Sequence, residues 1–462
     1  MTNTSFTSES GQFTHSGLAL LPLVLFITLF LGTGLYLHLQ DVEYAFYQLP
    51  APVAILPAIL LAIFLDHRLR NNSYLKSQLA QAKEPVNAGI EPSIQTFISG
   101  MGNSKVITMC LIYLLAGAFS SVGKASGGVD AVVGLGLDFV PAPLVVAGLF
   151  LISAIIATAM GTSMGTIGAV APIALGVVES AQLDPALIAG AVVGGAMFGD
   201  NLSFISDTTI ASTKTQGAEL RDKFKENLQF ALPAAVICLF IYSYVGFDLP
   251  ADLSAPTEVN WLLALPYFLI IALAIMGLNV FAVLLLGLAL SAITGFLVGD
   301  YNLANLGKDI YAGFSSMQEI FLLSMLIGGL SELMKQQGGL TFLVAKLEAM
   351  IQAGGRAASN QLAIAGLAFT TNLAVANNTV SIIVTGDTAK QLAEDGNITP
   401  KRSASLLDIF SCIAQGLVPY GAQALLAAAS FKISPVEVVI NVWYCFVLAA
   451  TTAVVMYLSE RK

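Results

Sequence analysis

Two aspartates inside an apolar, glycine-rich part of the chain are the residues with the clearest potential for chemistry. They belong to the run Gly199-Asp200-Asn201-Leu202-Ser203-Phe204-Ile205-Ser206-Asp207-Thr208-Thr209. In a continuous helix, Asp200, Ser203 and Asp207 would share one face. An aspartate at the centre of a lipid bilayer costs roughly 2.5–3.5 kcal/mol on insertion scales, so an acid at that depth is a candidate for function. The alternative interpretation is an interfacial loop in which Asp207 caps the following helix.

Two further polar segments, 158–166 and 370–379, interrupt apolar stretches that otherwise have the pattern of helices. Their polar residues include Thr162 and Ser163 in the first segment and Asn372, Asn377, Asn378 and Thr379 in the second. A broken helix in hydrocarbon is tolerated only when it is buried in protein or lines a cavity. Freed carbonyl groups, hydroxyls and amide oxygens are hard ligands of the kind that Na+ prefers. The breaks therefore predict a cation site, and close helix packing through small residues is the alternative for either break alone.

A third acid, Asp408, lies seven residues before Gln415 in the second half of the chain. Three buried acids and no obvious buried base favour a cation site. Lys124 and Lys335 each precede a glycine pair and are predicted to lie at span ends, where their amines would reach the interface. The predicted site for ions or substrate combines Thr162, Ser163, Asp200, Asn201, Ser203, Ser206, Asp207, Thr208, Thr209, Asn372, Asn377, Asn378, Thr379, Asp408 and Gln415.

A buried carboxylate of this kind could couple Na+ to protons. Burial favours the uncharged, protonated form of an acid, whereas a bound Na+ ion favours the charged form. Two cations that compete for one carboxylate are exchanged without a second site. The sequence therefore predicts Na+ and H+ as coupling ions and no cofactor.

The composition places these residues in a membrane. Of 462 residues, 56% are hydrophobic and only 11% are charged, whereas soluble domains contain about 25% charged residues. Apolar windows of ~18 or more residues, the length that crosses a bilayer, predict an all-α polytopic membrane protein. We expect about ten to twelve transmembrane helices of this length. The clearest windows are 17–37, 229–245, 278–298 and 438–457.

Other residue types exclude several classes of protein. The window that starts at Gly17 follows no Lys or Arg and precedes no small-residue cleavage site, so it is predicted to be a first span rather than a signal peptide. Four cysteines lie singly in apolar segments and three histidines are scattered, which argues against a disulfide framework or a metalloenzyme. We expect membrane lipid and small ions as partners, and no nucleic acid.

The distribution of Lys and Arg predicts the topology. Segments 67–105 and 214–225 are rich in basic residues, whereas the loops 39–50 and 247–259 contain none. Because basic loops stay in the cytoplasm, the first two segments are predicted to be cytoplasmic loops and the other two to be external. The chain is thus predicted to be a multi-pass protein of a bacterial inner membrane with both termini in the cytoplasm.

The second half of the chain repeats the pattern of the first. An offset of 211 residues aligns Gly117-Ala118-Phe119-Ser120, Lys124 and Gly127-Gly128 with Gly328-Gly329-Leu330-Ser331, Lys335 and Gly338-Gly339, and an offset of 215 aligns Thr162-Ser163 with Asn377-Asn378, Asp184-Pro185 with Thr399-Pro400, and Asp200-Asn201-Leu202 with Gln415-Gly416-Leu417. Paired repeats are typical of secondary transporters, which bind their cargo near the midplane between the repeats. The predicted organisation is N-terminal spans and a cytoplasmic loop (1–105), repeat 1 (106–213), linking spans (214–316), repeat 2 (317–428) and a C-terminal span (429–462).

The run from Gly199 to Thr209 resembles the signature of the NhaC-type Na+/H+ antiporters of the ion-transporter superfamily, and the likeness covers most of the chain after about residue 100. The resemblance implies two inverted repeats with broken helices and re-entrant hairpins, an elevator-like movement, and a homodimer by analogy. It also implies cation binding at Asp200, Ser203, Asp207 and Thr208, with Na+ held by the first three.

The resemblance leaves the cargo open between two alternatives. The chain has Phe204-Ile205 where the family pattern has Pro-Leu, and the segment from Asn372 to Thr379 is richer in asparagine. The first alternative is Na+/H+ exchange. The second is a Na+- or H+-coupled carrier of an amino acid or organic acid on the same scaffold, in which Asn377, Asn378 and Thr379 hold the polar ends of the solute.

Two other classes fit less well. An intramembrane aspartyl protease would place its second acid in a Gly-x-Gly-Asp run, but this chain has Met197-Phe198-Gly199-Asp200. A channel would favour rings of charge from symmetric subunits rather than duplication within one chain. The sequence thus predicts a secondary transporter and no enzyme.

Overall fold

The computed structural model describes residues 17–40, 42, 48–78, 90–204, 206–247, 260–276, 278–299, 301–352 and 357–459, and every regular element in these ranges is a helix. The chain divides into two compact units. The first contains the described residues up to Asn103 together with 325–346, and the second contains 104–324 together with the described residues from 347 onward. The prediction of an all-α protein is confirmed.

The first unit is built from four helices and parts of two more. The four are α1 (Leu21–His38), α2 (Ala51–Ala54), α3 (Leu56–Gln78) and α4 (Glu91–Met101), and the parts of the other two lie in 325–346. A short 3-10 helix, Gly17–Leu20, precedes α1. Within this unit, the Ser93 hydroxyl donates a hydrogen bond of 2.6 Å to the buried carboxylate of Asp66.

The second unit contains a short 3-10 helix, Ala142–Leu144, and the remaining α-helices of the described chain. They are α5 (Ser104–Ala125), α6 (Gly128–Phe139), α7 (Val145–Met160), α8 (Ser163–Ala181), α9 (Pro185–Leu202), α10 (Asp207–Gln216), α11 (Leu220–Gly246), α12 (Trp261–Ile275), α13 (Val280–Val298), α14 (Leu303–Ser316), α15 (Gln318–Gln336), α16 (Gly339–Gln352), α17 (Ala357–Val375), α18 (Asn378–Asp395), α19 (Pro400–Leu417), α20 (Ala422–Phe431), α21 (Pro435–Asn441) and α22 (Trp443–Ser459). Of these, α15 ends in the first unit and α16 begins in it.

Many of these helices are long and apolar enough to span a membrane. In the described residues, 8 helical segments meet that length and composition, and up to 10 do if two bent pairs are each one span. The bent pairs are α14 with α15, at 45°, and α21 with α22, at 43°. The predicted span 438–457 is thus bent, because the backbone changes direction at Val442 between α21 and α22.

The prediction that 214–225 forms a loop is wrong. Gly217 ends α10 in the left-handed conformation, with φ of 70°, and α11 begins at Leu220. Most of the segment is therefore helical. Lys223 lies in the first turn of α11 and is buried, although Lys and Arg were expected to face the cytoplasm.

The helix boundaries follow the offsets found in the sequence. Residues separated by 215 positions have the same role in the two halves of the chain. They are the left-handed residues Gly161 and Ala376, the N-caps Thr162 and Asn377, the N-caps Asp184 and Thr399, the N-caps Ser206 and Gly421, and the left-handed C-caps Gly217 and Lys432. Two residues related by the offset of 211, Tyr113 and Ser324, are in contact, with 3.2 Å between their hydroxyl oxygens. The two segments thus have the same order of helices and breaks.

Close contact between α7 and α9 fixes the part of the chain that carries Asp200. Gly195 and Gly199 are four residues apart and lie on one face of α9. A methyl group added at Gly195 would overlap the carbonyl oxygen of Phe150, and one at Gly199 would overlap the side chain of Ala157. Small residues at this spacing let membrane helices approach through their backbones.

We predict that Gly195→Ala lowers the midpoint of thermal unfolding in detergent. The added methyl must displace backbone atoms of α7, and overpacking of this kind costs about 1–3 kcal/mol. Gly148→Ala on α7 is the matched control, because a methyl there meets no atom within 4 Å. Equal midpoints for the two variants would contradict the packing described here.

Candidate functional site

A cavity of about 390 Å³ in the second unit brings together the two helix breaks predicted from the sequence. The break between α7 and α8 contributes Met160 through Met164, and the break between α17 and α18 contributes Asn377, Asn378 and Thr379. The remaining lining residues are Ser104, Lys105, Thr108, Met109, Ile112, Asp200, Ser206, Asp207, Thr208, Asn279, Val280 and Gln423. Nine of the predicted site residues therefore face one space: Thr162, Ser163, Asp200, Ser206, Asp207, Thr208, Asn377, Asn378 and Thr379.

Each break is formed by one left-handed residue and one capping side chain. After α7, Gly161 has φ of 69°, and the Thr162 hydroxyl accepts a hydrogen bond of 3.3 Å from the Gly165 amide. After α17, Ala376 has φ of 51°, and the Asn377 side-chain oxygen accepts one of 3.0 Å from the Val380 amide. The cap satisfies an amide that the interrupted helix would leave without a partner.

Asp200 is a buried carboxylate on the wall of this cavity. Only 4% of the residue is exposed. It accepts hydrogen bonds from two hydroxyls, Ser206 at 2.6 Å and Ser163 at 3.1 Å. No basic side chain in the described ranges forms a salt bridge with it, so the carboxylate is held by neutral donors and faces a space that an ion can enter.

Asp207 has a different environment from Asp200. The prediction that Asp200, Ser203 and Asp207 share one helical face is wrong, because α9 ends at Leu202 and α10 begins at Asp207. Ser206 caps α10 by accepting a hydrogen bond from the Thr208 amide at 3.3 Å. The Asp207 side chain is 69% exposed and lies 3.1 Å from the Lys105 amine. Asp207 therefore forms a solvent-accessible ion pair at the cavity.

The third predicted acid, Asp408, is paired with a base that sequence reasoning missed. The Lys223 amine lies 2.7 Å from Asp408 Oδ2, and the two side chains are 1% and 0% exposed. Asn227 donates a second hydrogen bond of 2.7 Å to the same oxygen. The expectation that the buried acids have no buried base is therefore wrong. The sequence did contain a signal for this buried base. Lys223, Glu226 and Asn227 have helical spacing and directly precede an apolar span, which indicates one continuous helix with a polar face.

The remaining predicted residues lie behind the cavity wall. Gln415 donates a hydrogen bond of 2.8 Å to Gln423, and Gln423 donates one of 3.0 Å to Ser163, which connects Gln415 to Asp200. The Asn372 amide donates one of 3.0 Å to the Ser411 carbonyl. Asn201, Ser203, Thr209, Asn372, Asp408 and Gln415 are buried but do not line the cavity.

Comparison with known proteins identifies related sequences over nearly the whole chain. The profile of the Na+/H+ antiporter family matches residues 44–247 and 257–459. The malate-2H+/Na+-lactate antiporter of Bacillus subtilis is 24% identical over an alignment of 477 positions, which covers 95% of this chain and 96% of that protein. The Na+/H+ antiporter NhaC of Alkalihalophilus pseudofirmus is 24% identical over 375 residues and 75% of this chain. The arginine/ornithine antiporter ArcD of Halobacterium salinarum is 21% identical over 395 residues and 78% of this chain.

We predict that the cap at the first break contributes measurably to stability. Thr162→Val keeps the shape of the side chain but removes the oxygen that accepts from the Gly165 amide, and the loss of such a cap costs roughly 0.5–2 kcal/mol. Thermal unfolding in detergent should show a lower midpoint for this variant. Thr162→Ser retains the oxygen and serves as the control. A midpoint for the valine variant equal to that of the serine variant would show that the cap is not needed.

Proposed function

Because the chain belongs to the Na+/H+ antiporter family, we propose that it exchanges Na+ for H+ across the membrane through the carboxylate of Asp200. The family is one of transporters rather than enzymes, so the reaction is the movement of ions without a change in covalent bonds. Na+ and H+ are the cargo and the coupling ions.

The observation that carries this proposal is the environment of Asp200. The carboxylate is buried and borders the cavity, and within the described part of the chain its hydrogen-bond donors are the hydroxyls of Ser206 and Ser163. Hydroxyl oxygens and a carboxylate are suitable ligands for Na+. An ionised Asp200 without a nearby cation is unfavourable in free energy, because the surrounding protein has a low dielectric constant. The site thus favours the states in which a cation is bound.

Exchange follows from competition between the two cations. A proton on Asp200 removes the charge, and a Na+ ion beside it balances the charge, but the carboxylate cannot be neutralised by both at once. The hydroxyls of Ser163 and Ser206 can donate to the empty carboxylate or turn their lone pairs towards a bound ion. Asp207 and Lys105 would act at the entrance, where Asp207 attracts cations to the cavity.

The two segments with matching helix boundaries support a transport cycle. We infer that 106–213 and 317–428 are structural repeats of inverted orientation, and that movement of one against the other gives the cavity access to each side of the membrane in turn. The basic residues of 67–105 favour a cytoplasmic position for this segment in a bacterial inner membrane. A dimer is expected by analogy with the family alone.

A second candidate function is the exchange of a small organic solute together with Na+ or H+. The cavity of about 390 Å³ is much larger than a sodium ion, and it contains Lys105, whose amine could bind a carboxylate. Two relatives are described as antiporters of malate and lactate and of arginine and ornithine. In this alternative, Asn377 and Asn378 would contact the solute.

We predict that purified protein in liposomes with an internal pH dye raises the internal pH when Na+ is added outside. Na+ entry drives H+ exit, so the interior becomes alkaline. Asp200→Asn should reduce the rate to that of empty liposomes, because a neutral amide can neither release a proton nor balance Na+. Asp184→Asn is the matched control on the same helix, since asparagine preserves the cap at the start of α9.

A further variant separates the two acids of the site. Asp207→Asn should retain exchange with a weaker apparent affinity for Na+, because it removes an exposed charge at the cavity rather than the buried carboxylate. Full activity in Asp200→Asn would refute the assignment of the site. An absence of any response to Na+, Li+ or K+ alone, with a response after addition of an amino acid or a carboxylic acid, would instead establish the second function.

A further inference from the structure

The role of Lys223 is not explained by the proposed exchange at Asp200. Its amine donates hydrogen bonds to Thr209 Oγ1 at 2.6 Å and to the Asn201 carbonyl at 3.3 Å, and it lies 2.7 Å from Asp408 Oδ2. A lysine ammonium has three N–H donors, so every donor of Lys223 has an acceptor. This is the geometry of a charged ammonium that is held in place.

The ion pair lies next to the cavity that contains Asp200. Lys223 binds the carbonyl of Asn201, the residue after Asp200. Asp408 lies one helical turn before Cys412. The side-chain amide of Asn378, on the cavity wall, lies 3.9 Å from the Cys412 sulfur. The side-chain amide of Asn201 also donates a hydrogen bond of 3.5 Å to Asp408 Oδ2, which connects the ion pair to the residue after Asp200. We call Asp200, Asp408 and Lys223 the buried centre.

The charges of the buried centre do not cancel. It contains two carboxylates and one ammonium. The next acid on the same two helices, Glu226, lies 3.2 Å from Arg402 and 3.7 Å from Lys401, so it adds no uncompensated negative charge. When Asp200 is ionised, the buried centre therefore carries one uncompensated negative charge.

We propose that Lys223 is an internal cation that restricts the site to one monovalent ion, because it permanently neutralises Asp408. This inference rests on the proposed function, since it concerns the ion that binds at Asp200. One Na+ ion makes the buried centre neutral. A divalent ion such as Ca2+ would leave an excess positive charge beside the fixed ammonium in a medium of low dielectric constant, which is unfavourable.

If Lys223 were removed, Asp408 could contribute a second negative charge to the cation site. Its Oδ1 is buried and has no hydrogen-bond partner among the described residues. Without the ammonium, Asp408 and Asp200 would present two negative charges that a divalent ion balances. Lys223 is thus a specificity-determining residue, although it does not line the cavity.

The test measures equilibrium binding of radioactive Na+ and Ca2+ to the purified full-length protein in detergent. The wild type should bind Na+ with little competition from Ca2+. Lys223→Met should make Ca2+ compete at concentrations at least about tenfold lower, because the buried centre then carries two negative charges. Asp408→Asn should weaken Na+ binding at least about tenfold, since the unpaired ammonium repels the ion.

The double variant Lys223→Met/Asp408→Asn is decisive. It restores one uncompensated charge, so Na+ affinity should return to within about threefold of wild type, with Ca2+ again excluded. Replacing both members of a buried ion pair is tolerated better than removing one, so the double variant keeps the test valid if a single variant fails to fold. A folded double variant that binds no Na+ would overturn the proposal, because geometry rather than charge would then be required.

Arg402→Met is the matched control, because it breaks a buried ion pair between the same two helices, α11 and α19, outside the buried centre. It should leave the preference for Na+ over Ca2+ unchanged, and a shift equal to that of Lys223→Met would overturn the proposal. Failure of the proposed function has a different result. Wild-type protein that binds Na+ but moves no protons in liposomes refutes the exchange, and the binding comparison still decides the role of Lys223.

Discussion

A carboxylate in the interior of a membrane protein must have its charge neutralised, and much of the second unit is arranged around this requirement. Asp408 meets it with a lysine at 2.7 Å. Asp200 has two hydroxyl donors and an adjoining cavity instead. Two acids that are buried to a similar degree therefore differ: Asp408 is balanced by a lysine within the protein, whereas Asp200 has no basic partner among the described residues.

The breaks in the helices meet a related requirement for the backbone. A helix that stops within the membrane leaves amides without partners, and Thr162 and Asn377 supply the missing acceptors at equivalent positions. The residues that end the helices also line the cavity. Because α7 and α9 meet through Gly195 and Gly199, the end of α9 that carries Asp200 lies close against the backbone of α7.

The sequence contained enough information for the breaks and the cavity but not for the ion pairs. Polar residues inside apolar stretches have few explanations in a membrane, so the helix breaks at Thr162, Ser163 and Asn377 were predicted correctly. The continuous helix through Asp200 and Asp207 was wrong because the capping of α10 by Ser206 is a local choice that periodicity does not reveal. Lys223 was misplaced because its basic neighbours indicated a cytoplasmic loop, whereas the packing of α11 against α9, α10 and α19 buries it.

The different strengths of these ion pairs rank the contacts that can change during transport. Separation of the exposed pair of Lys105 and Asp207 costs about 1 kcal/mol or less, because water replaces each partner. Separation of a buried pair such as Lys223 and Asp408 costs roughly 3–5 kcal/mol, since each charge would be left in the interior. A movement that opens the cavity at Asp207 is therefore much less costly than one that pulls α11 away from α19.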